Sequence, residues 1–153
     1  MVDKLFEIIQ LSYVFRDIQS QAKTFELFFN IPKFSFYKYV NLPIIYYGKK
    51  TRITLKCAKS KIFNSYSIEL LQLVKGTENL YYDFLQQNRE GFHHVDVIVH
   101  DINQWITFFK NKGIKITQEG KSLRKWAYLD TMDILGFILE LIEVVPPRRK
   151  RRE

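Results

Sequence analysis

The sequence predicts an α+β fold built from two tandem β-α-β-β-β modules. Three observations carry the prediction. Residues 10–29 and 94–113 repeat one another at an offset of 84, each reading as a strand followed by a helix. The stretches SIELLQL (67–73) and ILELIEV (138–144) repeat again, with Glu69 over Glu140. Each predicted helix is preceded by an aspartate at the matching position, Asp17 and Asp101, a side chain suited to capping exposed amide groups. Repeats of about 70 residues are too long for solenoid units and fit a duplicated module.

The elements follow in order. Strands are expected at 7–15 and 92–100; in the second, Val95, Val97 and Val99 alternate with other residues, the period of a strand. Helices are expected at 17–29, with Ile18, Ala22, Phe25, Phe28 and Phe29 at helical spacing, and at 101–112, with Ile102, Trp105, Ile106, Phe108 and Phe109. Gly113 is placed to stop the second helix. Strand-like stretches follow at 34–40, 51–57 and 66–74 in the first half, and at 114–118, 125–130 and 135–144 in the second. A linker, TENLYYDFLQQN, reads as a short helix capped by Thr77 with Leu80, Phe84 and Leu85 facing inward. One domain is therefore expected over 1–145, with module one at about 5–75, the linker helix at about 77–90 and module two at about 91–145. Residues 146–153 are expected to form a disordered basic tail.

Composition bounds the function. The chain has 153 residues, 46% of them hydrophobic, enough for a compact core. No apolar run is long enough to span a membrane, and no signal-peptide pattern opens the sequence. Cys57 is the only cysteine, which excludes an intrachain disulfide and a thiolate zinc cluster and fits a cytoplasmic protein. The tail RRKRRE carries half of the formal charge of +8. It attracts polyanions by charge alone, so a nucleic-acid role rests on the tail and is not expected. The glycines form no phosphate-cradling loop, and no Ser-His-Asp set has sequence support.

The informative residues are polar ones in apolar rows. Successive strand residues face opposite sides, so Glu140 shares a face with Ile138, Ile142 and Val144, and Glu69 with Leu71 and Leu73. His94 shares its face with Phe92 and Ile98, and Gln10 with Ile8 and Val14. A buried carboxylate without a partner costs several kcal/mol, so such a residue needs a wet edge, a partner or a metal ion. Any one of the four is ordinary: a strand Glu usually faces solvent, and a strand His is usually just hydrogen-bonded. Their equivalence in the two halves is what singles them out. His93 lies on the opposite face and is read as structural.

With these four positions in hand, the chain resembles the vicinal oxygen chelate superfamily. That superfamily includes glyoxalase I, methylmalonyl-CoA epimerases, extradiol dioxygenases and bleomycin-resistance proteins. The similarity spans about 5–145. It is strongest in IELLQLVKGTENLYYDFLQQNREGFHHVDVIVHDI (68–102), which looks like the middle of the epimerases. The resemblance implies paired modules wrapped into a half-open, cup-shaped mixed sheet with helices outside. It implies metal ligands at Gln10, Glu69, His94 and Glu140, with His94 rather than His93 of the pair as the ligand. It also implies one divalent ion (Zn, Ni, Co, Mn or Fe) and a homodimer.

The chemistry that follows is proton transfer next to a carbonyl through a metal-stabilised enolate, with Glu140, then Glu69, as the candidate base. The expected activity is that of an isomerase, epimerase or lactoylglutathione-lyase-like lyase. The expected substrate is a small molecule such as an acyl-CoA thioester or hemithioacetal. One departure stands out. Residues 27–68 contain no Asp or Glu, whereas the epimerases use an additional carboxylate there. The alternatives are a metal-free binding protein of the bleomycin-resistance kind and an extradiol-type dioxygenase. The latter is disfavoured by Gln10 where a histidine is needed.

Overall fold

The computed structural model describes residues 7–63 and 66–144. Its elements run β1 (Glu7–Val14), α1 (Ile18–Phe29), β2 (Ser35–Tyr46), β3 (Lys49–Phe63), β4 (Tyr66–Lys75), α2 (Leu80–Gln86), β5 (Gly91–Val99), α3 (Ile102–Asn111), β6 (Ile116–Lys121), β7 (Lys125–Leu129), α4 (Met132–Leu135) and β8 (Ile138–Glu143). The β-α-β-β-β order appears twice. The additional turn of helix, α4, occupies 132–135, in the gap between the strands expected at 125–130 and 135–144 and overlapping the second only at Leu135. The basic tail expected at 146–153 lies outside the described residues. Among those described, no helix is long and apolar enough to cross a membrane.

The eight strands form one sheet in the order β1-β4-β3-β2-β6-β7-β8-β5, with β5 returning to β1. Within each module the first and last strands are parallel, β1 with β4 and β5 with β8. The modules join through β1 and β5, which run antiparallel. The rims of the cup meet on the far side through three residue pairs of β2 and β6, Ile44↔Gly120, Ile45↔Glu119 and Tyr46↔Gln118.

Strand alternation sorts the side chains. On the outside, Ile18 and Ala22 of α1 pack on Ala58, Ile68 and Leu70. Ile102, Trp105 and Phe109 of α3 pack on Val95, Val97, Val99, Leu139 and Leu141. Both caps form as expected. Asp17 accepts from the amides of Gln19 and Ser20 at 3.1 Å, and Asp101 from those of Asn103 and Gln104 at 3.0 and 3.2 Å. Gly113 follows α3 with φ +79°, the left-handed turn that glycine adopts without a side-chain clash.

Two expectations change. Phe28 and Phe29 are 76% and 64% exposed, because the buried stripe of α1 is Ile18, Ala22 and the half-buried Phe25, four and three residues apart. The cap of the linker helix lies two residues later than predicted. Asn79, fully buried, accepts from the amide of Tyr82 at 2.8 Å in place of Thr77.

One glycine fixes the wall of the cup. Gly120 pairs with Trp126 across β6 and β7, and a Cβ built on Gly120 would lie 2.5 Å from the indole ring. The Gly120→Ala variant is expected to lose about 1–3 kcal/mol of stability, the usual range for overpacking. Urea unfolding with an unchanged slope and a lower midpoint is the measurement that checks it.

Candidate active site at the module junction

The β1–β5 pair brings the two halves of the site face to face. Gln10 lies opposite Asp96, Leu11 opposite Val95 and Ser12 opposite His94. Because residues 10–12 repeat at 94–96, this register places a local twofold axis between Leu11 and Val95. The parallel partners complete the pattern. Ser12 sits beside Glu69 on β4, and Asp96 beside Glu140 on β8. Two bulges frame the region: Ile9 is an extra residue on β1, and His93 is an extra residue on β5.

All four residues singled out by the sequence therefore come together. Gln10, His94 and Glu140 are buried and Glu69 is half-buried. His94 Nε2 lies 3.0 Å from Glu140 Oε2. Glu69 is held by two hydroxyls, with Ser12 Oγ donating to Oε1 at 3.2 Å and Tyr37 Oη to Oε2 at 2.7 Å. Tyr37 comes from the stretch 27–68 that has no acid, so the first module offers Glu69 a phenol there.

The sequence reading missed Asp96. It is fully buried, on the same face of β5 as His94, and its Oδ1 lies 3.0 Å from His94 Nε2. Oδ2 accepts from Gln10 Nε2, and from Ser12 Oγ at 3.2 Å. Oδ1 has no hydrogen-bond partner. The signal was present in the sequence as a third polar residue in the row of His94 and Ile98, two positions from the histidine. Phe92, assigned to that row, is not in it. The bulge at His93 breaks the alternation, so Phe92 pairs with Tyr13, packs edge-on to its ring at 5.6 Å and is 40% exposed.

The same bulge gives His93 a part in the site. Its Nδ1 lies 2.8 Å from His94 Nδ1, and its ring stands edge-on to Phe84 at 4.9 Å. Burial, then the neighbouring His94, push its pKa well below the usual value, so His93 is neutral. Its ring also hydrogen-bonds the backbone of Leu80. Nδ1 is taken by His94, so the N–H given to the Leu80 carbonyl is Nε2. The remaining lone pair on His93 Nδ1 makes His94 Nδ1 the donor. A neutral His94 then carries its free lone pair on Nε2, the atom among the carboxylates. Histidine ligands are commonly oriented in this way.

Charge is unbalanced here. Three carboxyl groups and one imidazole share a site with almost no exposure to water. Burial pulls the His94 imidazolium pKa down, but Asp96 and Glu140 outweigh burial and lift it to about 10. Burial would raise Asp96, yet His94 holds it below the normal carboxylate value. Glu69 and Glu140 are both pushed up by burial and then by the charge of Asp96. In effect, one carboxylate is neutralised by His94, and the other two tend to keep protons. The side-chain atoms of Glu69, His94 and Asp96 lie within 4.8 Å of one another. A divalent ion fits this donor set: it replaces protons that the site otherwise retains, and it meets carboxylate oxygens that water does not reach.

Gln10, Glu69, Asp96 and Glu140 line a cavity of about 340 Å³ inside the sheet, walled by Tyr37, Tyr39, Tyr128 and Trp126, with Lys59 and Arg124 also on its lining and His94 buried behind it. Tyr128 Oη lies 3.4 Å from His94 Nε2 and 2.7 Å from Tyr81 Oη. A larger groove of about 1100 Å³ lies outside the sheet against α3. It contains none of the converging acids.

No family model matches the chain, and no curated protein matches it by sequence. Solved structures do. A hypothetical protein of Bacillus halodurans superposes with a TM-score of 0.72 at 16% identity, over 96% of this chain and 100% of that one. Methylmalonyl-CoA epimerase of Mycobacterium tuberculosis gives 0.67 at 12% identity, over 95% and 94%. A variant of Streptomyces coelicolor methylmalonyl-CoA epimerase in complex with 2-nitronate-propionyl-CoA gives 0.67 at 16% identity, over 93% and 96%. The chain shares their fold along nearly its whole length.

The pH dependence of the chelator-treated protein follows from these shifts. A histidine whose folded pKa is about 10, against 6.5 in the unfolded chain, contributes its full stabilisation below pH 6.5 and loses it as pH rises toward 10. The raised carboxyls of Glu69 and Glu140 act in the same direction. The melting temperature is therefore expected to fall between pH 6.5 and 10, and His94→Gln should flatten that fall. A series of thermal melts across this range checks both.

Proposed function

We propose that the chain is a divalent-metal-dependent isomerase or lyase that moves a proton on a carbon next to a carbonyl. The observation that carries this reading is that Glu69 and Glu140, one from each module, line one cavity and His94 stands directly behind them. The fold shared with methylmalonyl-CoA epimerases supports it. His94, Glu69 and Glu140 would hold the ion, with Gln10 at the fourth position implied by the family pattern. When bound, the ion supplies positive charge beside a carbonyl oxygen, which acidifies the neighbouring C–H.

The chain's own residues do the rest. Glu140 is the preferred base. Burial and Asp96 raise its affinity for a proton, which suits a group that takes one from carbon. Glu69 faces it from the other module, and the Tyr37 hydroxyl fixes its carboxyl orientation. Proton transfer on both faces of a carbon therefore has two carboxyl groups available without any acid in 27–68. Burial keeps the phenols of Tyr81 and Tyr128 protonated, so they offer hydrogen bonds to substrate oxygens rather than negative charge. Lys59 and Arg124 favour an anionic substrate, such as an acyl-CoA thioester or the hemithioacetal of an anionic thiol. At about 340 Å³ the cavity is at the small end of ligand pockets, so it would take a small head group and leave any long carrier outside. The homodimer implied by the resemblance finds support in exposed Leu27, Phe28 and Phe29 at the end of α1. A monomeric mass in sedimentation would exclude it. A cytosolic location fits the single, buried cysteine.

The test has two arms. Purified protein exposed to a mixture of divalent ions and dialysed is expected to retain about one ion per chain. That form should then catalyse solvent deuterium uptake into methylmalonyl-CoA or a related thioester or hemithioacetal. Glu140→Ala is expected to lose the ion and to lower exchange by at least about 100-fold, the scale of a lost general base. Full exchange by that variant would remove Glu140 from the mechanism. A wild-type protein that keeps no ion and exchanges no proton would be a binding protein on this fold.

A further inference from the structure

Gln10 and Asp96 sit opposite each other across the module junction, and only one of them presents an oxygen to the other donors. We propose that Asp96, not Gln10, supplies the fourth protein ligand of the cation site, making the donor set one imidazole and three carboxylates. This rests on the metal-dependent reading above and deepens it.

The amide of Gln10 is committed elsewhere. Its Oε1 accepts from Ser67 Oγ at 2.8 Å, and its Nε2 points at Asp96 Oδ2 with Ser12 Oγ at 3.4 Å. Turning the amide over would set its oxygen against an ionised carboxylate, two acceptors face to face. The charge of Asp96 therefore fixes the amide with its N–H₂ end toward the cluster, and an N–H₂ group does not ligate a cation.

Asp96 has what Gln10 lacks. Its Oδ1 is completely buried, has no contact beyond His94 Nε2 at 3.0 Å to satisfy it, and lies within 4.8 Å of the donor atoms of Glu69 and His94. Ligands about 2.1 Å from a shared ion stand up to about 4.2 Å apart, close to the spacing found here before any ion draws them together. The repeat shows that this is a property of one half: the residue equivalent to Asp96 in module one is Ser12, too short and too weak a donor to serve.

Three carboxylates make the site harder and more negative than a Gln-containing one, so Mn²⁺ should compete well against Zn²⁺ relative to a two-carboxylate site. Calorimetric titration with Mn²⁺ and Zn²⁺ of the full chain, with Asp96→Asn and Gln10→Ala, tests the assignment. Asp96→Asn is expected to weaken Mn²⁺ binding at least tenfold and to shift preference toward Zn²⁺, while Gln10→Ala weakens it by less. Asp96→Ser, which copies module one, is the second variant should Asn disturb the fold, with circular dichroism as the check. Unchanged Mn²⁺ affinity in the folded Asp96 variants, or a greater loss in Gln10→Ala, would overturn the assignment and leave the metal-dependent reading intact. Absence of any binding by the wild-type chain to either ion would sink both.

Discussion

The antiparallel pairing of β1 with β5 is the contact on which the rest of the molecule depends. It is the seam between two modules that each have their own outer helix and apolar layer. It is also where each module's polar residues meet. A one-residue slip would turn Gln10, Ser12, His94 and Asp96 outward and bring apolar residues into the cup. The bulges at Ile9 and His93 bracket the three pairs that matter, and by breaking the alternation on either side they confine the polar row to the seam. Register, closure of the sheet and assembly of the site are thus consequences of one strand pair.

The seam holds more negative charge than a folded interior tolerates without a counter-charge. His94 neutralises Asp96, and the raised pKa values of Glu69 and Glu140 show how the remaining charge is avoided: by protons. A constellation that keeps protons in the absence of a cation and offers oxygen atoms in its presence is suited to proton transfer, because its carboxyl groups are poised between two states. The tyrosines around it, Tyr37, Tyr81 and Tyr128, supply hydroxyls without adding charge. That is why an aromatic lining and a buried acidic cluster coexist.

Much of this was legible in the sequence. The 84-residue offset revealed the duplication, the two aspartates marked the helix starts, and the paired polar positions named Gln10, Glu69, His94 and Glu140. The misplacing of Phe92 and His93 has one cause. Period-two reasoning assumes an unbroken strand, and β5 has a bulge at His93. That single extra residue moved Phe92 out of the cup and turned His93 toward its neighbour. Asp96 was overlooked for a different reason. Attention to the repeat favours residues that match in both halves, and Asp96 faces a serine in the other half. The cap of α2 was misplaced because Thr77 and Asn79 are both good caps, and the choice between them is made by burial of Asn79 beneath the linker.

That linker does more than join the halves. Leu80 at the start of α2 accepts from the His93 ring, and its amide donates to Gln118 Oε1 at 2.9 Å. A carbonyl outside both modules therefore sets the tautomer of His93, which sets the donor face of His94, which leaves Nε2 open toward the carboxylates. The chain of hydrogen bonds runs from helix terminus to reactive nitrogen through two adjacent residues. It explains why two histidines stand together at the front of β5. One faces the buried carboxyl groups, and the other gives it a fixed proton address, so that neither the ring orientation nor the position of the lone pair is left to chance.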